Sequence, residues 1–395
     1  MPTRRLRLLA AGLLMGLLAA CDVPGQAPDL PTPIVVPTAM PAPTHARPSP
    51  TPEPTAVSLD DVQVALQAVV AAEREAVLAD SQDAYMSQID SGDREWRKFQ
   101  EAEFVNDSDL TGRLSCVSNV RLAADGTTAQ ADVSIDDCPG RYHQGMFFRL
   151  VNNRWLHSQP GRDEQGPRDT RKIGPFRVTF HAMDESSLDA LGRFAPDIYD
   201  HVSTMMDTRQ LDVDVDLVSR PTDMPRGAFT TIALYNPSIA RMTVLSPFYW
   251  ANGDGTEADL DDQIRVTLAH EFTHHAVRTL ALTRVPHWLN EGMAVYVSGE
   301  NPARYDREVQ QLAALDHLQP PEVLDELLLS GDTAGISYDE GYSFVHYLAG
   351  KQGDAVLPKL LRSLRETGNL DQSLTQVTGK GLAAWWKAWV KSLGD

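Results

Sequence analysis

The chain is short of positive charge. It carries 35 lysines and arginines against 54 aspartates and glutamates, a formal net charge of −19 over 395 residues. A nucleic-acid-binding surface needs a basic stripe, and docking on anionic lipid needs a polybasic patch, so this balance argues against both. A membrane-length hydrophobic run is also missing near the N-terminus. The apolar stretch Leu8 to Leu18 falls short of the ~20 residues that cross a bilayer as a helix. Cysteine is scarce, with three in the whole chain, and Cys116 and Cys138 lack the close spacing of a thiolate zinc site. Apolar material is not lacking. A hydrophobic content of 42% is ordinary for a globular protein, and the length allows roughly two or three domains.

The N-terminus reads as a targeting segment. Arg4, Arg5 and Arg7 precede the short apolar run, which ends Leu18-Ala19-Ala20-Cys21. That ending resembles a bacterial lipobox, where cleavage exposes a cysteine that then carries lipid; an ordinary secretory signal cut near Ala20 is the alternative. Residues 1–20 are therefore expected to be a lipoprotein signal peptide and 21–57 a lipid-anchored linker rich in Pro and Thr. Eleven of the 26 prolines fall between residues 22 and 57. Such a segment favours extended polyproline conformations, at about 3 Å per residue, and builds no core. The expected location is extracytoplasmic, with Cys21 anchored to the bacterial cell membrane. In that oxidising setting Cys116 and Cys138 are expected to form a disulfide worth roughly 3 kcal/mol, with two buried thiols as the alternative.

Residues 58–160 read as a small α+β accessory domain. A helix runs from Ser58 to about Leu78 and a second from Asp83 to Phe104. Strand-like runs follow at Leu114–Val120, Thr128–Ile135, Met146–Val151 and Arg154–His157, with turns at Asp125-Gly126 and Asn152-Asn153. His143 and His157 have no ligand spacing. Two helices and a meandering sheet resemble the cone-shaped fold of the nuclear transport factor 2 superfamily. Residues 158–171 are polar and rich in breakers, a domain boundary.

Residues 172–395 form the main domain. Phe176–His181 alternates as a strand, and Leu188, Leu191, Phe194, Ile198, Val202 and Met205 share one helical face. Leu211–Val218 alternates strictly; its aspartates face solvent, or less simply bind calcium. Ala228–Tyr235 and Arg241–Ser246 are two more strands. A helix then starts near Thr256 and continues to about Leu282. Three further apolar helical stretches, Tyr342–Leu348, Leu357–Leu364 and Leu382–Leu393, close the chain. The last carries Trp385, Trp386 and Trp389, expected in the core.

The chemistry lies in the helix that ends near Leu282. It contains His270-Glu271-Phe272-Thr273-His274, an H-E-x-x-H. Residues four apart share a helix face, so both histidines can meet one metal ion, while Glu271 sits about 100° round and can reach a water on it. Zinc suits neutral imidazole and carboxylate, and a catalytic site keeps one position for water, whose pKa falls toward ~7. Seventeen residues after His274, beyond Pro286, Glu291 opens a second helix and is a sensible third ligand. His287 is an alternative. His275 points elsewhere on the helix. A histidine third ligand of the metzincin kind is excluded, because Val277 and Leu280 stand where Gly and His are needed.

These blocks carry a family resemblance. His270-Glu271-x-x-His274 followed by Trp288-Leu289-Asn290-Glu291-Gly292-x-Ala294 resembles the gluzincin metallopeptidases, nearest the aminopeptidase-N type and bacterial peptidase-MA-like domains. The resemblance covers residues 172–395. It implies an α+β, thermolysin-like zincin domain, a small mixed sheet followed by a helical active-site subdomain. It also implies Zn2+ held by His270, His274 and Glu291, with Glu271 as general base. Tyr338-Asp339-Glu340-Gly341 is similar to the aminopeptidase run whose tyrosine stabilises the oxyanion, a role that falls on Tyr338. Tyr342 competes for that role, and a packing tyrosine is the plainer reading. One feature departs: Arg226 to Ser246 holds no glutamate of the kind that grips a substrate's free amine in aminopeptidases. The strand Arg241–Ser246 is expected to flank the cleft and pair with an extended peptide. The expectation is a zinc metallopeptidase acting on peptides or proteins, an endopeptidase in preference to an aminopeptidase. Its rivals are a catalytically silent zinc-stabilised binding lipoprotein and a zinc hydrolase of a non-peptide substrate.

Overall fold

The computed structural model describes residues 58–394, apart from 107–110, 141, 209–210, 225–232, 251, 254–257, 283–284, 301 and 329–333. The expected signal peptide, the expected tether and Cys21 lie outside the described residues, as do Thr256 and most of the strand expected from Ala228. Among the described residues no helix is long and apolar enough to cross a membrane.

The first half begins with α1 (Leu59–Leu78), whose Asp60 and Asp61 sit in the first turn, where the helix dipole favours carboxylates. The single helix expected over Asp83–Phe104 is two, α2 (Gln82–Met86) and α3 (Arg94–Asn106). Between them Ile89 bridges to His157, and the Asp93 carboxylate accepts the N–H groups of Glu95 and Trp96, starting α3 afresh. Four strands follow: β1 (Leu114–Leu122), β2 (Thr128–Ile135), β3 (Tyr142–Val151) and β4 (Arg154–Ser158), paired antiparallel in that order. Asn152 and Asn153 both adopt positive φ, 50° and 63°, as a tight hairpin turn requires. Val62, Leu66, Val69 and Val70 of α1 pack on Val117, Val133 and Phe148 of the sheet. Cys116 and Cys138, expected to form a disulfide, lie with their Cα atoms 5.4 Å apart, within the reach of such a bond.

The second half opens with β5 (Arg168–Ile173), β6 (Phe176–His181), α4 (Leu188–Met205), β7 (Val213–Val218), β8 (Ala233–Asn236) and β9 (Arg241–Leu245). These strands make a mixed sheet in the order β5-β6-β7-β9-β8, parallel across β6, β7 and β9 and antiparallel at both edges. Three expectations change here. First, β5 begins inside the stretch read as a boundary. Its residues from Arg168 to Lys172 are exposed and mostly charged, so no apolar alternation marks it. Second, β9 does not flank a cleft, because β7 and β8 cover it on both sides; among the described residues β8 is the outer strand at that end of the sheet. Third, Asp214 and Asp216 of β7 pair with Arg177, Arg168 and Arg241 across the sheet, which accounts for their spacing without calcium.

A two-residue strand, β10 (Asn252–Gly253), crosses to the other half and pairs with Tyr142 and His143 of β3. The junction is reinforced nearby. Arg220 donates to Asp93 at 3.0 Å, Gln159 donates to the same carboxylate at 2.7 Å, and Thr222 donates to Gln159 at 2.9 Å. Then come α5 (Ala258–Ala281), α6 (His287–Ser298), α7 (Pro302–Ala314), α8 (Leu324–Leu328), α9 (Ala334–Gln352), α10 (Val356–Thr367), α11 (Leu370–Thr378) and α12 (Leu382–Leu393). One apolar core runs from the mixed sheet through α5, α6, α9, α10 and α12. Trp385, Trp386 and Trp389 are buried in it, with the Trp386 ring edge-on to Trp288 at 5.5 Å and tilted against Phe344 at 5.0 Å.

Candidate metal centre

His270 and His274 lie one turn apart on α5. Leu268, Ala269, Phe272, Ala276 and Val277 of the same helix are committed to the core, so the two rings share the remaining polar face. Glu291 comes from the second turn of α6 and is fully buried. Its Oε2 is 3.2 Å from His270 Nε2 and 3.4 Å from His274 Nε2. All three ligand atoms lie within 4.8 Å of one another, and no other such group of three or more is found among the described residues.

A backbone contact sets this convergence. A Cβ on Gly292 would stand 2.4 Å from the carbonyl of Gly341, and one on Gly341 would stand 2.4 Å from the Trp288 carbonyl oxygen. Helices α6 and α9 therefore cross with their backbones touching, which only glycine permits. The crossing brings Glu291, beside Gly292, close to Tyr338, three residues before Gly341.

The polar atoms of the cluster fit a cation. Both ring nitrogens of His274 and Oε1 of Glu291 are buried without a hydrogen-bond partner. Leaving such groups unsatisfied is costly. Two imidazole nitrogens and a carboxylate oxygen are the donor set of a three-ligand zinc site. Burial alone would raise the Glu291 pKa, but the charges of His274 and His270 and the His270 hydrogen bond hold it far below the usual carboxylate range. Burial alone would lower the His270 pKa; its contacts with Glu291 and Glu300 lift it to about 10. His274 is raised for the same reason, against burial, by Glu291. Burial pushes the Glu271 carboxyl up, and its Oε2 accepts the backbone N–H of Tyr235, on edge strand β8, at 2.5 Å.

The two candidate tyrosines part company. Burial raises the Tyr338 pKa well above its usual value, and the charges of Glu291 and Glu271 add to this, so its hydroxyl stands in the field of both site carboxylates. The Tyr342 hydroxyl instead meets His346 at 3.5 Å, and its ring lies against Tyr305 and Tyr296. His287 is the first residue of α6 and is not in the cluster. His275 Nδ1 lies 3.2 Å from the Tyr235 hydroxyl. His157 Nδ1 lies 3.3 Å from the buried Glu73.

Sequence reasoning missed two side chains. Glu300 Oε2 lies 3.5 Å from His270 Nδ1, and the Tyr305 hydroxyl donates to Glu300 Oε1 at 2.8 Å. Gly299 directly before Glu300 was the available signal, since a glycine ending a helix marks where the chain turns back.

Residues 253–392 match the family model of the Peptidase MA superfamily, so this part of the chain carries a metallopeptidase-like domain. The matched span contains His270, Glu271, His274, Glu291 and Tyr338. A search of the curated proteins finds no match to the chain.

Proposed function

We propose that the chain is a gluzincin-type zinc peptidase that works outside the cytoplasm, tethered by lipid at Cys21 and the Pro-rich linker. The observation that carries this reading is the buried convergence of His270, His274 and Glu291 within 4.8 Å, inside the span matched to the peptidase superfamily. The mixed sheet and helical site of 168–394 would then form a thermolysin-like core, and residues 58–160 a cone-shaped accessory unit. When bound, zinc would supply a Lewis acid and lower the pKa of a water toward ~7. Glu271 takes the proton from the attacking water and passes it to the leaving amine; burial, which raises its pKa, suits it to both halves of that task. Tyr338 donates its hydroxyl proton in a hydrogen bond to the oxygen that gains charge.

Endopeptidase action is favoured over aminopeptidase action. Residues 226–246 contain no glutamate to hold a free amine. Strand β8 lies at the sheet edge next to Glu271, a placement suited to an extended peptide running along it. The test is a peptide library incubated with the mature protein and read by mass spectrometry, with and without a chelator. Chelator-sensitive cleavage at internal bonds is expected. Trimming from the N-terminus would overturn the endopeptidase assignment. Zinc binding with no peptide cleaved would favour the silent binding protein or a non-peptide substrate.

A further inference from the structure

We propose that Glu300 is a positioning residue for the metal ligand His270, and that Tyr305 holds Glu300 in place. This rests on the reading of His270, His274 and Glu291 as zinc ligands. Helix α6 ends at Gly299, whose φ of 73° is left-handed. That turn ends the helical path, so Glu300 does not fall on a helix face; its N–H reaches the Val295 carbonyl at 3.4 Å while its side chain points at α5.

The His270 ring is then addressed from two sides. Nε2 faces Glu291 at 3.2 Å, and Nδ1 faces Glu300 at 3.5 Å. A neutral imidazole has one N–H and one lone pair, so a carboxylate at Nδ1 keeps the proton there and leaves the Nε2 lone pair to a metal ion. The other oxygen of Glu300 is fixed by the Tyr305 hydroxyl at 2.8 Å. Tyr305 is itself packed on several sides: it is buried, its ring lies 5.1 Å from that of Tyr342, and the Arg304 guanidinium sits 4.7 Å over it. His274 has nothing comparable, for its Nδ1 is buried without a hydrogen-bond partner. Outer support for the two histidines is thus one-sided, and the first turn of α7 supplies it through a residue that touches no ligand.

The test is zinc affinity, measured on the mature full-length protein by competition with a chromophoric chelator. The variants are Glu300→Gln, Glu300→Ala, Tyr305→Phe and the double variant Glu300→Ala/Tyr305→Phe. Loss of such an outer partner typically costs 10–100-fold in metal affinity, and the Glu300 variants are expected to weaken zinc binding by about that factor. Tyr305→Phe alone is expected to weaken it by roughly three- to tenfold. In the Glu300→Ala background it should change nothing further, because Tyr305 acts only through Glu300. The visible spectrum of the cobalt-loaded protein should shift in the single variants, and melting temperatures in excess chelator should match wild type. Affinities within twofold of wild type, or an undiminished Tyr305→Phe effect without Glu300, would overturn the proposal. A wild-type protein that binds no zinc would sink both this and the metal-centre reading. One that binds zinc but cleaves no peptide would sink only the peptidase reading.

Discussion

Tyr338 and Tyr342 are one helical turn apart, yet they face different surroundings. Tyr338 lies in the field of Glu291 and Glu271, while Tyr342 is engaged with His346, Tyr305 and Tyr296. Removing one oxyanion donor typically costs 10²–10³ in kcat. Tyr338→Phe is expected to lose activity by about that factor while keeping its zinc, and Tyr342→Phe to stay within a few-fold of wild type; steady-state kinetics with zinc analysis separates them. At this scale the sequence was informative wherever a residue's role follows from regular helical geometry. His270 and His274 are paired by the helix repeat, and Glu291 by its place in a second helix. Glu300 had only the preceding Gly299 to mark it, because its position depends on the left-handed turn there, which no periodicity reports.

Among the elements, the crossing of α6 and α9 does most to shape the site. It depends on Gly292 and Gly341 meeting backbone to backbone, a contact between residues far apart in sequence. Beside it Glu340 is fully buried, with both carboxylate oxygens accepting the Gln319 N–H at 2.9 and 3.2 Å. Burial outweighs that hydrogen bond, and with the Asp339 charge it pushes the pKa up to about 7. The folded state then holds this proton more tightly than the unfolded chain does. Its stabilising effect is complete below the ordinary carboxylate pKa near ~4.5 and is lost as pH rises through about 7. Glu340→Gln removes this dependence. Urea denaturation should find it similar to wild type near pH 4 and more stable by up to ~3 kcal/mol above pH 8; equal stability at both ends would refute the buried-charge account. Strand identities were mostly readable because half-buried strands alternate, as at Phe176–His181. Strand order was not readable. Nothing in β8 or β9 alone says which lies at the edge, and exposed β5 has no apolar face to reveal it.

The molecule as a whole is two α+β halves joined more closely than a linker-and-domain reading implies. β10 completes an edge of the first sheet shortly before α5 begins. Phe248 lies so close over β3 that a Cβ on Gly145 would overlap its ring. Arg220, 7% exposed, reaches from the second half to Asp93 of the first. Arg220→Ala would leave a gap at the junction and take one donor from half-buried Asp93, which keeps those of Gln159, Glu95 and Trp96, so it is expected to destabilise by about 1–2 kcal/mol. Both halves should still unfold in one transition, as calorimetry would show; two separate transitions in wild type would contradict the close junction. The junction was not legible in the sequence, because it rests on a two-residue strand and on single polar side chains.

The central claim is that Glu271 moves the proton while His270, His274 and Glu291 hold the metal. The most direct measurement pairs zinc content with peptide hydrolysis for wild type and Glu271→Gln. Glu271 is near the ligands without being one, so the variant should bind zinc at wild-type stoichiometry and lose hydrolysis by at least ~10³-fold. A variant that keeps its zinc and still cleaves peptide at the wild-type rate would contradict the account.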